Sequence, residues 1–250
     1  MPDRPRLTEE LKRRLGLRVV EHGAIESTMA AAAADDGPAP AVHVAVSQTA
    51  GRGRHGRSWR SPAGNLHATI RWPETGEPFP PGVLGAIQLA WVRAVRAAGG
   101  PEVRCKWPND GLLKGRKWAG ILAIRPRACP GELHLGLGAN LVEAPAVESA
   151  ATACLADAWS GWPGGSEVAA ILLEAALAVL ADGPAGVPAR LADWSRYDAL
   201  APGQRIVVED RGDRREGTYL GIDGDGRLRL DLGTREVRLT SGDARCVRPA

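Results

Sequence analysis

The stretch CKWPNDGLLKGRKWAGIL, residues 105–122, decides how this chain is read. VRCKW at 103–107 has the composition of a strand, and Pro108 fixes a bend directly after it. Asn109 and Asp110 favour turn conformations. The runs GLLK and KWAGILAI, joined through Gly115-Arg116, then predict a hairpin. Two lysines, Lys106 and Lys117, flank this turn and hairpin. Taken singly, W-P-N-D is a well-made turn and each lysine an exposed cation.

Working outward, AVHVAVSQ (41–48), NLHATIRW (65–72) and ELHLGLGANL (132–141) predict strands. Leu84, Ile87, Trp91 and Val95 recur at helical spacing over 83–98, and Gly99-Gly100 ends the pattern. Further helices are expected over 8–16, through AAAAADD at 30–36, over 167–181 with Ser166 as cap, and over 187–198. After Pro202 the composition changes to short β runs, GQRIVVED, REGTYLGI, RLRLDL and REVRLT, separated by Asp/Gly turns. Four or five strands in so short a segment predict a small barrel. The expected fold is α+β, with a domain of strands and helices at 1–200 and a small β-barrel at 201–250.

Bulk properties exclude several classes. The 250 residues are 44% hydrophobic and 24% charged, which is ordinary for a globular chain. A net charge of +3 is too small for a molecule-wide polyanion binder, so a basic function has to be local. The N-terminus has no continuous apolar run, and the longest apolar stretch, near 168–181, is interrupted by Glu174 and too short to span a bilayer. Cys105, Cys129, Cys154 and Cys246 form no C-x-x-C pair, so no zinc site and a reducing, cytoplasmic setting are expected.

Upstream, QTAGRGRHGRSW at 48–59 spells G-x-G-x-x-G with arginines between the glycines. A dinucleotide site needs a helix to start there, yet Pro62 and Gly64 follow and the chain re-enters a strand. A phosphate loop of the Walker kind is absent, since no Gly-Lys-Ser or Gly-Lys-Thr occurs. Three readings remain for the loop. It is a solvated surface loop, a nucleic-acid patch pairing arginines with Trp59, or a pliable loop closing on a small anion through guanidinium forks and freed amides.

Taken together, the motifs resemble those of the biotin protein ligases. The family's glycine–arginine loop matches Gly51, Arg52, Gly53, Arg54, His55 and Gly56, with Gln48 before it and Trp59 after. Its Lys-Trp-Pro-Asn-Asp motif is intact from Lys106 through Trp107, Pro108 and Asn109 to Asp110. The following lysine is Lys117, ahead of Gly120, and the Gly-x-Gly-x-Asn strand is Gly136, Gly138 and Asn140. Ser27-Thr28 matches the start of the first helix, Trp194 the tryptophan before the C-terminal module, and the β runs an SH3-like barrel. The likeness covers residues 20–250 in order and implies a catalytic domain built on a mixed β-sheet with helices packed on it. Two departures stand out: Met29 replaces the usual Asn, and Ile124 an acid after the AGIL run. Only about twenty residues precede the catalytic portion, too few for the DNA-binding domain of the family's repressors. A ligase without repressor activity is therefore expected.

The resemblance implies that biotin and ATP, with Mg²⁺, form biotinoyl-AMP, and that biotin passes to a lysine of a biotin carboxyl carrier domain. It gives Lys117, Arg54 and Asp110 the catalytic positions. Ser27, Thr28, Gln48, Gly51, Arg52, Gly53, Trp59, Lys106, Trp107, Asn109, Gly120 and Asn140 are the further residues around biotin or its adenylate. No protein-bound metal, no DNA and no membrane are implied, and a homodimer is left open. The rival readings are a ligase of the same fold acting on lipoate or another carboxylate and a basic nucleic-acid-binding protein. A pseudo-enzyme that holds the adenylate without transferring it is a third.

Overall fold

A computed structural model describes residues 11–14, 16–147 and 150–247. Seven strands, β1 (Arg18–Ile25), β2 (Ala41–Gln48), β3 (Leu66–Pro73), β4 (Val103–Lys106), β5 (Asp110–Leu113), β6 (Arg116–Ile124) and β7 (Glu132–Ala139), form one sheet in the order β1-β2-β3-β7-β6-β5-β4. β1 and β2 run parallel and all other pairs antiparallel, so the sheet is mixed, as expected. Lys114 and Gly115, both at positive φ (49° and 75°), make the tight turn between β5 and β6.

The two faces differ in chemistry because side chains alternate along each strand. One face carries Ala68, Ile70, Leu135, Leu137, Ala119, Ile121, Leu113 and Val103, all buried. Helices α2 (Val83–Ala97) and α3 (Gly165–Ala181) cover it, joined where the Trp91 indole donates to the Leu172 carbonyl at 2.7 Å. Trp91 also meets Trp118 of β6, ring centroids 6.1 Å apart. The opposite face carries His43, His67, Thr69, Arg71, His134, Gly136, Gly138, Gly120, Asp110 and Lys106. The short helix α1 (Thr28–Ala34) lies on this polar face, with Thr69 Oγ1 donating to Thr28 Oγ1 at 2.9 Å.

Several expectations need correction. β1 was not foreseen: as an edge strand it pairs only with β2, and its sequence RVVEHGAI has little buried alternation. The helix expected over 187–198 is two short ones, α4 (Val187–Leu191) and α5 (Trp194–Tyr197). The expected N-terminal helix over 8–16 falls partly outside the described residues; 11–14 are helical, and Leu11 is buried. The C-terminal strands β8 (Arg205–Asp210), β9 (Asp213–Ile222), β10 (Leu228–Asp231), β11 (Glu236–Leu239) and β12 (Asp243–Cys246) run β11-β10-β9-β8-β12. β11 and β12 are the two ends of that order, so the expected barrel is an open antiparallel sheet. It is tied to the rest through buried Asp198, which accepts from Trp194 Nε1 at 2.7 Å and from the Tyr219 hydroxyl.

Asp35, just past α1, gathers Arg18, Arg71 Nη1 (2.9 Å) and His43 Nε2 (2.9 Å). The hydrogen bond from Arg18, against the cost of burial and with help from Gly37 and Arg71, holds its carboxyl well below the usual range. Burial drives His43 down to about 4 despite the nearby Asp35 charge. An unfolded histidine titrates near 6.5, so between these values the unfolded chain binds the extra proton. Stability therefore falls as pH drops through this window. The thermal midpoint is expected to fall from pH 7 to pH 5, and to fall less in His43→Gln. Equal drops in both proteins would refute the assignment to His43.

Candidate active site

Strand register sets a transverse row across the polar face. His67 pairs with Gly138, Gly138 with Gly120, Gly120 with Asp110, and Asp110 with Lys106. Four sequence-predicted positions from three motifs therefore share one face: Gly138, Gly120, Asp110 and Lys106. The turn at residues 107–109 is short enough to put Lys106 directly beside Asp110.

Lys117 joins them through an irregularity. Simple alternation along Lys117-Trp118-Ala119-Gly120 would set Lys117 and Gly120 on opposite faces. The register instead shifts by one residue, Gly111 pairing with Ala119 and Leu112 with Lys117. The bulge at Trp118 turns that indole into the core and Lys117 onto the polar face. A Cβ placed on Gly120 would lie 3.2 Å from Lys117 Cε, which confirms that the side chain crosses this glycine. Lys117 Nζ then reaches Asp110 Oδ1 at 2.6 Å and stands 5.4 Å from the Trp59 ring centroid.

The arginine loop folds over the same face. Gly51 is confined by Trp59 and Ser61: a Cβ there would meet the Trp59 carbonyl at 2.5 Å. Gly53 N donates to the Arg57 carbonyl at 2.7 Å, closing the loop on itself. Arg54 Nη1 donates to Asn109 Oδ1 at 3.1 Å and contacts the Gly242 carbonyl at 3.4 Å. Burial pulls the Arg54 guanidinium below its ordinary value, with Asp110 and Asp210 opposing. Asn109 is itself fixed, Nδ2 donating to the Ile121 carbonyl at 2.6 Å. Arg52 is exposed and bridges only through its backbone to Ser58.

At the end of the parallel pair, where Ile25 lies beside Gln48, sits a compact polar group. Gln48 Oε1 accepts from Thr28 N (2.8 Å) and Thr28 Oγ1 (3.1 Å), and its Nε2 donates to Ser61 Oγ at 2.8 Å. Ser27 and Thr28 are both buried. Ser27 occupies the cap position of α1 without making a side-chain capping bond. Met29 reaches across to Gly136, where a Cβ would come within 2.9 Å of its methyl. The other departure, Ile124, is exposed at the far end of β6.

Between the two groups Trp59 lies flat on the sheet. A Cβ on Gly138 would stand 2.5 Å from its ring, and one on Gly120 3.3 Å away. The two glycines thus make room for the indole, whose buried Nε1 has no acceptor. Gly138→Ala is expected to displace Trp59 and raise KM for biotin about tenfold or more, the scale of one misplaced methyl in an apolar site. Steady-state kinetics with biotin as varied substrate would check this, and an unchanged KM would argue against Trp59 as a wall of the pocket.

Two predicted residues sit differently from the rest. Trp107 is 2% exposed and its indole donates to the Gly226 carbonyl at 2.9 Å, so it joins the C-terminal sheet to the motif. Asn140 Nδ2 donates to the Ala153 carbonyl at 3.2 Å, tying residues 151–153 to the strand that bears Lys117. His67 belongs to none of the sequence motifs. It lies in the transverse row, burial holds its pKa below the ordinary value, and only one ring nitrogen is engaged, Nε2 with the Pro62 carbonyl. The N-L-H-A-T-I-R-W alternation was the available signal. Cys129, Glu132 and His134 bring possible ligand atoms within 4.8 Å of one another, yet Arg71 already forks onto both Glu132 oxygens, supplying the countercharge.

Comparison with known proteins gives this geometry a class. The Biotin/lipoate A/B protein ligase family model matches residues 25–136, and the Biotin protein ligase C terminal domain model matches residues 203–244. The fold is therefore that of the biotin/lipoate ligase class. A Biotin–[acetyl-CoA-carboxylase] ligase of Mycobacterium tuberculosis (strain ATCC 25618 / H37Rv) is 34% identical over 213 residues, spanning 81% of this chain and 77% of that protein. One of the same name from Paracoccus denitrificans is 43% identical over 122 residues, 44% of this chain and 49% of that one. The biotin protein ligase of Aquifex aeolicus in complex with biotin and ATP superposes with a TM-score of 0.79 at 18% identity, over 93% of this chain and 99% of that one, a likeness of fold. This chain belongs to the biotin protein ligase family.

Proposed function

We propose that the chain activates biotin with ATP and transfers it to a lysine of a biotin carboxyl carrier domain of a carboxylase. The observation that carries this reading is the single polar face on which Lys117, Asp110 and Lys106 lie beneath Arg54. A carboxylate acylates nothing directly, because its leaving group would be oxide. Its oxygen instead attacks the α-phosphorus, the bond to the bridging oxygen breaks, and pyrophosphate leaves. The carrier's lysine nitrogen then attacks the acyl carbon, AMP leaves, and the amine proton is released.

Both steps bring anionic oxygens together, so cations fixed beforehand lower the barrier. Lys117 is placed for the biotin carboxylate and α-phosphate, with Asp110 orienting its ammonium. Lys106 supports the phosphate side, and Arg54 and Arg52 close the loop over the anhydride, with Gly51 and Gly53 shaping it. Ser27, Thr28 and Gln48 face the ureido ring, while Trp59 lies on Gly120 and Gly138 as the wall of the acyl channel. Asn109 and Asn140 hold the loop and the lysine strand in place. Mg²⁺ is expected on the ATP phosphates, since Asp110 and Asp243 are already paired with lysines.

We further read residues 1–200 as the catalytic domain and 201–250 as a separate C-terminal domain, because the two sheets share no strand. A cytoplasmic location fits the substrates; among the described residues no single helix is long and apolar enough to cross a membrane. The test is the intact mass of a purified apo carrier domain after incubation with this protein, ATP, Mg²⁺ and biotin, with lipoate in a parallel reaction. One biotinoyl adduct in the biotin reaction alone is the expected result. An adduct only with lipoate, or none with either, would overturn the reading.

A further inference from the structure

The turn before β12 touches the two cation-bearing motifs at consecutive residues. The Gly242 carbonyl receives Arg54 Nη1 at 3.4 Å, and Asp243 Oδ1 receives Lys106 Nζ at 2.8 Å. The second contact joins β12 of the five-stranded sheet to β4 of the seven-stranded one, and the first joins the turn before β12 to the arginine loop. Ser241 next to them donates to Asp210, whose carboxylate lies 3.9 Å from His55 in the arginine loop. From the Lys-Trp-Pro-Asn-Asp side, Trp107 makes a parallel link to Gly226.

We infer that Asp243 is a positioning residue for adenylation, holding the Lys106 ammonium in place while the adjoining Gly242 carbonyl seats Arg54. The inference rests on the ligase reading and makes the C-terminal sheet part of the active site's framework.

The local chemistry suits a fixed anchor. The Lys106 and Asp243 side chains are only 21% and 22% exposed, so their pairing is far less screened than a surface ion pair. Burial works against the Asp243 charge, but the bond from Lys106 and the nearby Arg245 outweigh it and hold the carboxyl down at about 2. The anchor is therefore ionised at neutral pH. A lysine's four-carbon stem has many rotamers, and a bonded carboxylate selects one of them. The backbone is equally constrained: Gly242 has φ +136°, and a Cβ there would meet Val208 at 2.6 Å. Glycine alone gives this turn the geometry that aims one carbonyl and one carboxylate at different motifs.

The experiment measures biotin-dependent pyrophosphate release by the full chain, wild type against Asp243→Asn, Asp243→Glu, Lys106→Met and the Lys106→Met/Asp243→Asn double variant. Asp243→Asn should lower kcat/KM for ATP about tenfold, the scale of one charge-assisted hydrogen bond. KM for biotin should hold, because the Gln48 group lies at the opposite end of the sheet. Asp243→Glu should recover most of the loss. In the Lys106→Met background Asp243→Asn should change almost nothing further, because its effect runs through that lysine. A structural role would instead reduce the active fraction, leaving both KM values alone and adding to the Lys106→Met defect. That pattern, or an Asp243→Asn enzyme with unchanged or raised kcat/KM for ATP, would overturn the inference. A wild-type protein releasing no biotin-dependent pyrophosphate would overturn the ligase reading and this inference with it.

Discussion

Lys117→Ala is expected to slow biotinoyl-adenylate formation by about a hundredfold or more, because one preorganised donor at a developing oxyanion contributes roughly 3 kcal/mol. The lysine is well placed for that role: Nζ is held by Asp110 at 2.6 Å and stands over Trp59, with about a quarter of the side chain (26%) open to a ligand. Its other plausible role is a strand-to-strand ion pair. A pair this exposed adds roughly 1 kcal/mol or less to stability, so removing it should lower the melting temperature slightly and leave the rate intact. The two roles separate in one set of measurements, pyrophosphate release and thermal midpoint for Lys117→Ala and Asp110→Asn. Collapse of the Lys117→Ala rate with a near-normal midpoint supports the catalytic role. A normal rate in that variant would refute it. Asp110→Asn should fall between wild type and Lys117→Ala, since it frees the ammonium without removing it.

What makes Lys117 available was not legible in the sequence. KWAGIL reads as a plain alternating strand, and such a strand would aim Lys117 and Gly120 to opposite faces. The one-residue shift at Trp118 corrects this, and its cause is tertiary: the indole packs on Trp91, and Gly111 has no side chain to block it. Short-range features carry a local signal. The β5–β6 hairpin follows from Gly115, and the end of α2 from Gly99, at φ +79°. β1 went unseen because an edge strand buries too little to impose a pattern. The two helices in place of one near 187–198 reflect Trp194 turning inward to meet Asp198, 4% exposed and four residues later. The site residues were recognisable by motif, whereas their links to Gly226, Gly242 and Asp243 join positions more than a hundred residues apart and carry no local signal.

Arg54→Gly is expected to release biotinoyl-AMP about tenfold to a hundredfold faster than wild type, the range for losing one or two charge-assisted hydrogen bonds. Arg54 is the loop's fastening: Nη1 reaches Asn109 on one side and the Gly242 carbonyl on the other, while Arg52, Arg57 and Arg60 are exposed. Its neighbours Gly53 and Gly56 keep the loop pliable, so without Arg54 the side-chain contact left between the loop tip and the C-terminal sheet is the long approach of His55 to Asp210 at 3.9 Å. A mixed anhydride that escapes reacts with whatever amine it meets. Specificity for the carrier should therefore fall even where total adenylation persists, because activation depends on Lys117 and retention on the loop. Two readouts follow: free biotinoyl-AMP in the filtrate, and biotin on an unrelated lysine-rich protein in the same tube. Arg54→Lys should leak less than Arg54→Gly, since it retains a cation but loses the planar Nη1 group that reaches both acceptors. Biotin confined to the carrier in the Arg54→Gly reaction would mean that the loop is held by its backbone, through Gly53 and Arg57, and that Arg54 acts only on the bound phosphate.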